Sequence, residues 1–185
     1  MRYTFHEVII EAVRGDIANQ PDLEAIVNAA NARLAPGGGV AGAIHRAAGP
    51  ELYEACRPLA PIETGQAVTT PGFRLPNKYV IHALGPVYAF EDEPAGKLAR
   101  TYRSVFEEAE RLGVESVGMP AISTGIFGYP KEEAAAVLAE ALVDILPRCR
   151  SVKRVRLVLY SEEDLAIHRE ALARHFDELA SDAAE

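Results

Sequence analysis

Between Ala25 and Pro50 the chain reads A-I-V-N-A-A-N-A-R-L-A-P-G-G-G-V-A-G-A-I-H-R-A-A-G-P, and no other stretch constrains the fold as strongly. It opens as a short apolar strand, Ala25 to Val27, and passes Asn28 and Asn31. It then loosens into three glycines and closes as an alanine-rich helix starting near Ala41 and running to Cys56. Glycine lets the backbone approach a ligand and take up positive φ without a Cβ clash. A helix start adds unpaired N–H groups and the positive end of the helix dipole. Strand, glycine loop and helix start in that order suit a phosphate; a glycine-rich turn with no ligand is the other reading of these residues alone.

The remaining segments alternate strands with helices. Phe5 to Val13 is a first strand, preceded by an incoming extended segment and closed by Gly15-Asp16-Ile17. Gln66 to Thr70 alternates as an edge strand does, and Tyr79 to Leu84 (Y-V-I-H-A-L) reads as a buried strand. From Ala95 to Leu112 the apolar residues Leu98, Tyr102, Val105, Phe106, Ala109 and Leu112 fall at helical spacing and form one core-facing stripe. Val114 to Met119 is a strand, Pro130 begins a helix to about Ile145, Val155 to Tyr160 is a strand, and Glu162 to Phe176 a last helix. This alternation predicts an α/β layered fold with a largely parallel sheet, in which ligands sit beyond the carboxyl ends of strands. Asp16, the glycine loop, the Ser123–Phe127 loop and Tyr160 all follow strand ends, so four separate segments are expected to converge on one edge. Asp16 alone reads equally as a turn or helix-cap aspartate, and Tyr160 alone as a core tyrosine.

Length and composition restrict the function classes. A chain of 185 residues suits one domain, here 1–178, with a short acidic tail, 179–185, expected to be disordered. No apolar run approaches the roughly 18 residues that a membrane span requires, and the first residues lack the apolar core of a signal peptide. Cys56 and Cys149, far apart and without CxxC spacing, are read as reduced thiols of a cytoplasmic protein. The net charge of −8 and scattered Lys and Arg oppose general nucleic-acid binding. The one basic cluster, Arg148, Arg150, Lys153, Arg154 and Arg156, reads as a solvated loop and strand edge. A phosphate must then be held mainly by backbone N–H groups, which suits a small diphosphate.

Common nucleotide motifs do not fit. There is no G-x-x-x-x-G-K-[ST]. Gly37, Gly39 and Gly42 satisfy G-x-G-x-x-G, and Glu63 lies about 20 residues on, as a dinucleotide fingerprint asks. However, Asn31 to Pro36 is a polar, proline-broken loop where that motif needs a strand, and no apolar strand precedes Glu63. His45 and His82 have no Cys, Asp or Glu at ligand spacing, so no metal site is expected; they read as helix-surface and strand-core histidines. Ser123 lacks a nucleophile elbow, and neither cysteine has a histidine nearby in sequence.

The series G-D-I, V-N-A-A-N-x-x-L, G-G-G-V-x-G-A-I-H-R-A-A-G, K-Y-V-I-H-x-x-G-P and P-A-I-S-T-G-I-F-G-Y-P resembles the macro domain family from Gly15 to about Phe176, in order and with natural spacings. The likeness is greatest to the group containing the de-ADP-ribosylating enzymes. It implies a three-layer α/β/α sandwich with a mixed, largely parallel sheet that binds ADP-ribose, free or protein-linked, as a monomer and without a cofactor. By motif, Asp16 would accept from the adenine amino group with the Ile17 backbone beside it, and Tyr160 would stack on the adenine. Gly38, Gly39 and Val40 would line the distal ribose and diphosphate from one side. Ser123, Thr124, Gly125 and Ile126 would give N–H groups to the diphosphate from the other. Phe127 would pack on the distal ribose and Asn31 hydrogen-bond its hydroxyls. The residue chemistry agrees: an aromatic face stacks on any base for ~1–3 kcal/mol, and two N–H-rich loops can hold a diphosphate without lysine.

The chain departs from the resembled hydrolases at one point. Those typically read G-G-G-G-V-D-G, whereas Pro36-Gly37-Gly38-Gly39-Val40-Ala41-Gly42 stands here. Ala41 has no proton acceptor, and general-base help is worth roughly 10²–10⁴ in rate. No catalytic residue is therefore assigned; Asn31 and Phe127 are the candidates for holding a water that the ligand's own phosphate activates. A reader that binds without turnover, a weak ADP-ribosyl hydrolase or O-acetyl-ADP-ribose deacetylase, and a phosphatase acting on ADP-ribose 1″-phosphate all remain compatible with these residues.

Overall fold

The computed structural model describes residues 1–178; the expected acidic tail lies outside the described residues. The strands are β1 (Arg2–Phe5), β2 (Val8–Arg14), β3 (Ala25–Ala29), β4 (Ala67–Pro71), β5 (Tyr79–Ala83), β6 (Ser116–Met119), β7 (Arg154–Leu159) and β8 (Asp177–Glu178). They form one sheet in the order β4-β5-β3-β6-β7-β2-β1-β8. Its centre is parallel, through β5–β3, β3–β6, β6–β7 and β7–β2. Its edges are antiparallel, through β4–β5, β1–β2 and β1–β8. Helices α1 (Gly39–Ala48) and α2 (Pro50–Cys56) cover one face, and α3 (Pro94–Leu112), α4 (Lys131–Ile145) and α5 (Glu162–Ala173) the other. The expected three-layer α/β/α architecture with a mixed, largely parallel sheet is the one observed.

Burial on both faces explains why the central strands are apolar throughout. Along β3, Ala25 and Val27 enter the larger core under α3–α5, while Ile26 enters the smaller core under α1 and α2 with Val80 and Ile44. A polar face here would leave the sheet without a partner layer. One slip of register would exchange the two sets of side chains.

Several expected boundaries are corrected. The strand expected over Phe5 to Val13 is half of a hairpin, because His6 and Glu7 both take left-handed backbone (φ 47° and 64°) and reverse the chain onto β1. Such a two-residue loop matches the strand twist. The helix expected from Ala41 to Cys56 starts at Gly39 and is two helices. Gly49, at φ 88°, turns the chain and Pro50 restarts it. The last helix ends at Ala173, not Phe176; Phe176 is buried and Asp177–Glu178 pairs with β1. Arg154 and Arg156 are not on an edge. They lie on the central strand β7, where the Arg156 guanidinium meets Glu11 and Asp22 at 2.7 Å each. That hydrogen bond to Arg156 pulls the Asp22 carboxyl down to about 2.

Candidate functional site

Five parallel strands end side by side, and the segments that leave them form two adjoining pockets. The outer pocket, about 690 Å³, takes Arg14 and Asp16 from the end of β2, Tyr160 from the end of β7 and Arg46 from α1. The inner pocket, about 280 Å³, takes Ala29 and Asn31 from the end of β3, Gly85 from the segment after β5, and Ser123 and Phe127 from the loop after β6. Gly39, Val40, Ala121 and Gly125 line both and form their common wall. All twelve residues expected at the site line one pocket or the other: Asp16, Ile17, Thr124 and Tyr160 the outer, Asn31, Gly38, Ser123, Ile126 and Phe127 the inner, and Gly39, Val40 and Gly125 both.

The common wall is a place for an anion. Helix α1 starts at Gly39, with Gly38 before it and no side-chain cap on its free N–H groups. Gly39 sits at φ 55°, which L side chains seldom adopt. Gly42 is needed for a different reason: a Cβ there would strike the carbonyl oxygen of Gly37 and the Arg46 guanidinium. Across the wall, none of the N–H groups from Ser123 to Phe127 has a backbone acceptor among the described residues. The loop is held by its carbonyls instead, Gly128 N–H to Gly125 at 3.0 Å and Tyr129 N–H to Ser123 at 2.9 Å. The donors are thus left free in successive residues.

In the outer pocket the Asp16 carboxylate accepts the Ala18 N–H at 2.9 Å through one oxygen, which fixes the side chain and spares its second oxygen. The Asp16 carbonyl is tied to the Gln20 amide at 2.9 Å. Tyr160 is 89% exposed. Two arginines correct the expectation of a site without basic groups. Arg14 ends β2 and meets Glu162 at 3.4 Å, an exposed pair of small worth. Arg46 lies on the same face of α1 as Gly39 and Ala43, at helical spacing, and makes no ion pair among the described residues. Counting three and four residues from Gly39 would have found it in the sequence.

The inner pocket is chemically sparse. No Asp, Glu, His, Cys, Lys or Arg lines it, and its polar side chains are Asn31 and Ser123. The Asn31 amide braces its own loop, accepting the Ala35 N–H at 3.0 Å and donating to the Ala35 carbonyl at 2.9 Å, and keeps a second N–H and a second lone pair. Ser123 is buried at φ 69°, and its hydroxyl has no hydrogen-bond partner. A buried donor left unpaired costs free energy unless a ligand or water meets it. Gly85 makes room for it, since a Cβ at 85 would collide with the Ser123 hydroxyl and with Ile122. Ala41, buried, completes the wall.

Beneath the inner pocket lies a buried polar cluster. His82 Nδ1 meets the Asn28 amide at 3.1 Å, and its Nε2 meets Thr70 Oγ1 at 2.9 Å and Cys56 Sγ at 3.7 Å. This brings together a cysteine and a histidine far apart in sequence, yet Cys56 is fully buried and burial pushes its thiol up to about 11, so it is no nucleophile. His45, expected on the helix surface, is buried beside Tyr53 because α1 turns that face inward. Burial lowers its pKa, and burial with His45 nearby lowers that of His82 to about 3, so both rings are neutral. No group of three or more metal-ligating side chains occurs among the described residues. Nor is any helix there long and apolar enough to cross a membrane.

Comparison with known proteins locates this arrangement. The profile of the Macro domain family matches residues 27–138. A macro domain-containing protein of Chlorobaculum tepidum is 44% identical over 167 residues, 90% of this chain and 96% of that one. The O-acetyl-ADP-ribose deacetylase of Salmonella gallinarum is 42% identical over 176 residues, 92% and 98% of the two chains. Among solved structures, the Oceanobacillus iheyensis macrodomain with ADP superposes with a TM-score of 0.90 at 38% identity, covering 94% of this chain and 95% of that one. The Trypanosoma brucei macrodomain in complex with ADP-ribose does so with a TM-score of 0.82 at 34% identity, covering 88% and 68%.

Proposed function

The chain belongs to the macro domain family, and from that premise we propose that it binds ADP-ribose, free or attached to protein, across the two joined pockets. One observation carries the reading: the pockets share a wall made of two facing loops with free N–H groups, which is where a diphosphate between two sugars would lie. The adenosine occupies the outer pocket, with the spare Asp16 oxygen accepting from the adenine amino group beside Ile17 and the Tyr160 ring stacking on the base. The diphosphate takes N–H groups from the α1 start and from Ser123 to Ile126. The distal ribose enters the inner pocket between Gly38–Val40 and Phe127, near Asn31. Relatives crystallised with ADP and with ADP-ribose support the ligand class. Calorimetry with ADP-ribose, ATP, NAD and AMP tests it: ADP-ribose binds tightest, and equal binding of AMP overturns the two-pocket reading.

Slow hydrolysis is the second reading, favoured by the 42% identical relative named as an O-acetyl-ADP-ribose deacetylase. The inner pocket gives it little help, since no lining side chain can take a proton from water. A water near Asn31 and Phe127 would have to use the ligand's own phosphate as base. Product analysis over hours with ADP-ribosylated protein and O-acetyl-ADP-ribose decides it; absence of product leaves a binding module.

A further inference from the structure

Two of the segments that line the inner pocket, at Gly85 and Phe127, run directly into one exposed rim. Tyr88 donates its N–H to the Phe127 carbonyl at 2.9 Å, so the segment after Gly85 is fastened to the Phe127 loop. The Tyr88 ring also packs edge-on against Tyr129 at 4.9 Å, and its hydroxyl reaches Glu133 at 3.4 Å. On these two segments stand Ile126 and Phe90, 99% and 87% exposed. Two large apolar side chains left almost wholly exposed, on segments that are fastened to one another, are costly to leave in water without a use.

Acidic residues flank these segments, and Glu133 touches Tyr88. Asp92 and Glu93 precede α3, and Glu132 and Glu133 occupy the first turn of α4. None of the four makes an ion pair among the described residues. The nearby lysines are engaged elsewhere: Lys97 with Glu91 at 3.7 Å, and Lys131 with Asp164 at 2.9 Å. Inside the mouth, the buried Ser123 hydroxyl without a partner points to a polar ligand in the pocket itself.

We infer that this rim docks the polypeptide to which ADP-ribose is attached, and that it selects segments carrying Lys or Arg beside the modified residue. The inference rests on the ADP-ribose reading above. With the adenosine in the outer pocket, the distal ribose lies at the far end of the ligand, and a chain joined to it must leave past Phe127 and Gly85. There it meets Ile126, Phe90 and Tyr88, which suit side-chain methylenes, and four carboxylates without an ion pair among the described residues, which suit cations. Rim charges of this kind act mainly on partner choice and association rate, and weaken with salt.

Synthetic peptides carrying one ADP-ribosyl group and differing only in flanking Arg, Ser or Glu test this by fluorescence anisotropy, with free ADP-ribose as control. Basic flanks should bind about 5- to 10-fold tighter than acidic ones at low salt. The ratio should collapse near 1 M salt, where screening reaches ~3 Å. Asp92→Lys with Glu132→Lys, both exposed and outside the pockets, should invert the preference and leave free ADP-ribose binding unchanged. Phe90→Ser should weaken all the peptides and not free ADP-ribose. Equal affinity for basic and acidic peptides, or a preference that survives charge reversal, overturns the rim while the pocket reading stands. Failure to bind free ADP-ribose overturns both.

Discussion

The outer pocket carries Arg14, Asp16, Arg46, Tyr160 and Asp164, while the inner pocket, across a shared wall, carries no titratable side chain. Asp16 is exposed, so its carboxylate keeps part of its hydration at little cost. In the inner pocket, walled by Ala29, Ala41, Ala83 and Ile122, an unpaired carboxylate would lose its water and gain nothing until ligand arrived. Ala41 avoids that cost and gives up proton chemistry with it.

The strongest way to break this contrast is to put the acid in. Ala41→Asp should raise hydrolysis of an ADP-ribosyl ester by about 100-fold or more if positioning is good. It should also lower the stability of the unliganded protein by about 1–3 kcal/mol, because position 41 is buried. Product formation and urea unfolding measure the two; a rate that does not move locates the limitation elsewhere than the missing base. Next in size, Asp16→Ala should weaken ADP and ADP-ribose alike by roughly 10- to 100-fold, the worth of a hydrogen bond to a charged group. If ADP-ribose suffers and ADP does not, the adenosine is not in the outer pocket.

Ser123→Ala probes the other side and should separate the two ligands. Its hydroxyl lines the inner pocket and has no partner among the described residues. Loss should cost ADP-ribose about 5-fold, near the ~1 kcal/mol of a neutral hydrogen bond, and leave ADP unaffected. Because residue 123 sits at φ 69°, Ser123→Gly is the better control: it removes the hydroxyl and relieves the backbone. Equal weakening of both ligands by both variants would mean the loop itself had moved.

The central strands could be read from sequence because burial on two faces leaves near-continuous apolar runs, as in Y-V-I-H-A and V-R-L-V-L. The anion wall was legible for a local reason too, since glycines and a helix start announce it. The hairpin at His6–Glu7 was not, because its left-handed pair contains neither glycine nor asparagine. The break after α1 was missed although Gly49-Pro50 marks it, since the apolar residues run on across it in helical spacing. Asn31 lines the inner pocket and also closes its own loop on Ala35, a turn geometry that spacing does not encode. His45, set among alanines and an arginine, gives no local sign that its face turns inward. Arg46 belongs to no basic cluster, and only its helical phase with Gly39 and Ala43 marks it as a pocket residue.

The smallest expected effect on the pockets comes from the cluster under them, and it is large only for stability. His82 precedes Ala83, which lines the inner pocket, and its ring bonds Asn28 and Thr70. Burial, with His45 nearby, holds its pKa near 3, against about 6.5 in an unfolded chain. Between those values the unfolded chain binds the proton and the folded one does not, so stability rises with pH there. It is complete above about pH 6.5 and declines as the pH falls toward 3, by up to ~1.4 kcal/mol per unit for this one group. Urea unfolding at pH 7 and pH 5 should therefore differ by about 2 kcal/mol on account of His82, with His45 adding in the same direction. His82→Gln keeps a polar side chain that cannot titrate. It should flatten that slope and leave ADP-ribose affinity at pH 7 unchanged, since the ring does not reach the pocket. An unaltered slope would show that His82 takes up its proton equally in the folded and unfolded chains, so that the floor of the inner pocket becomes charged below about pH 6.5.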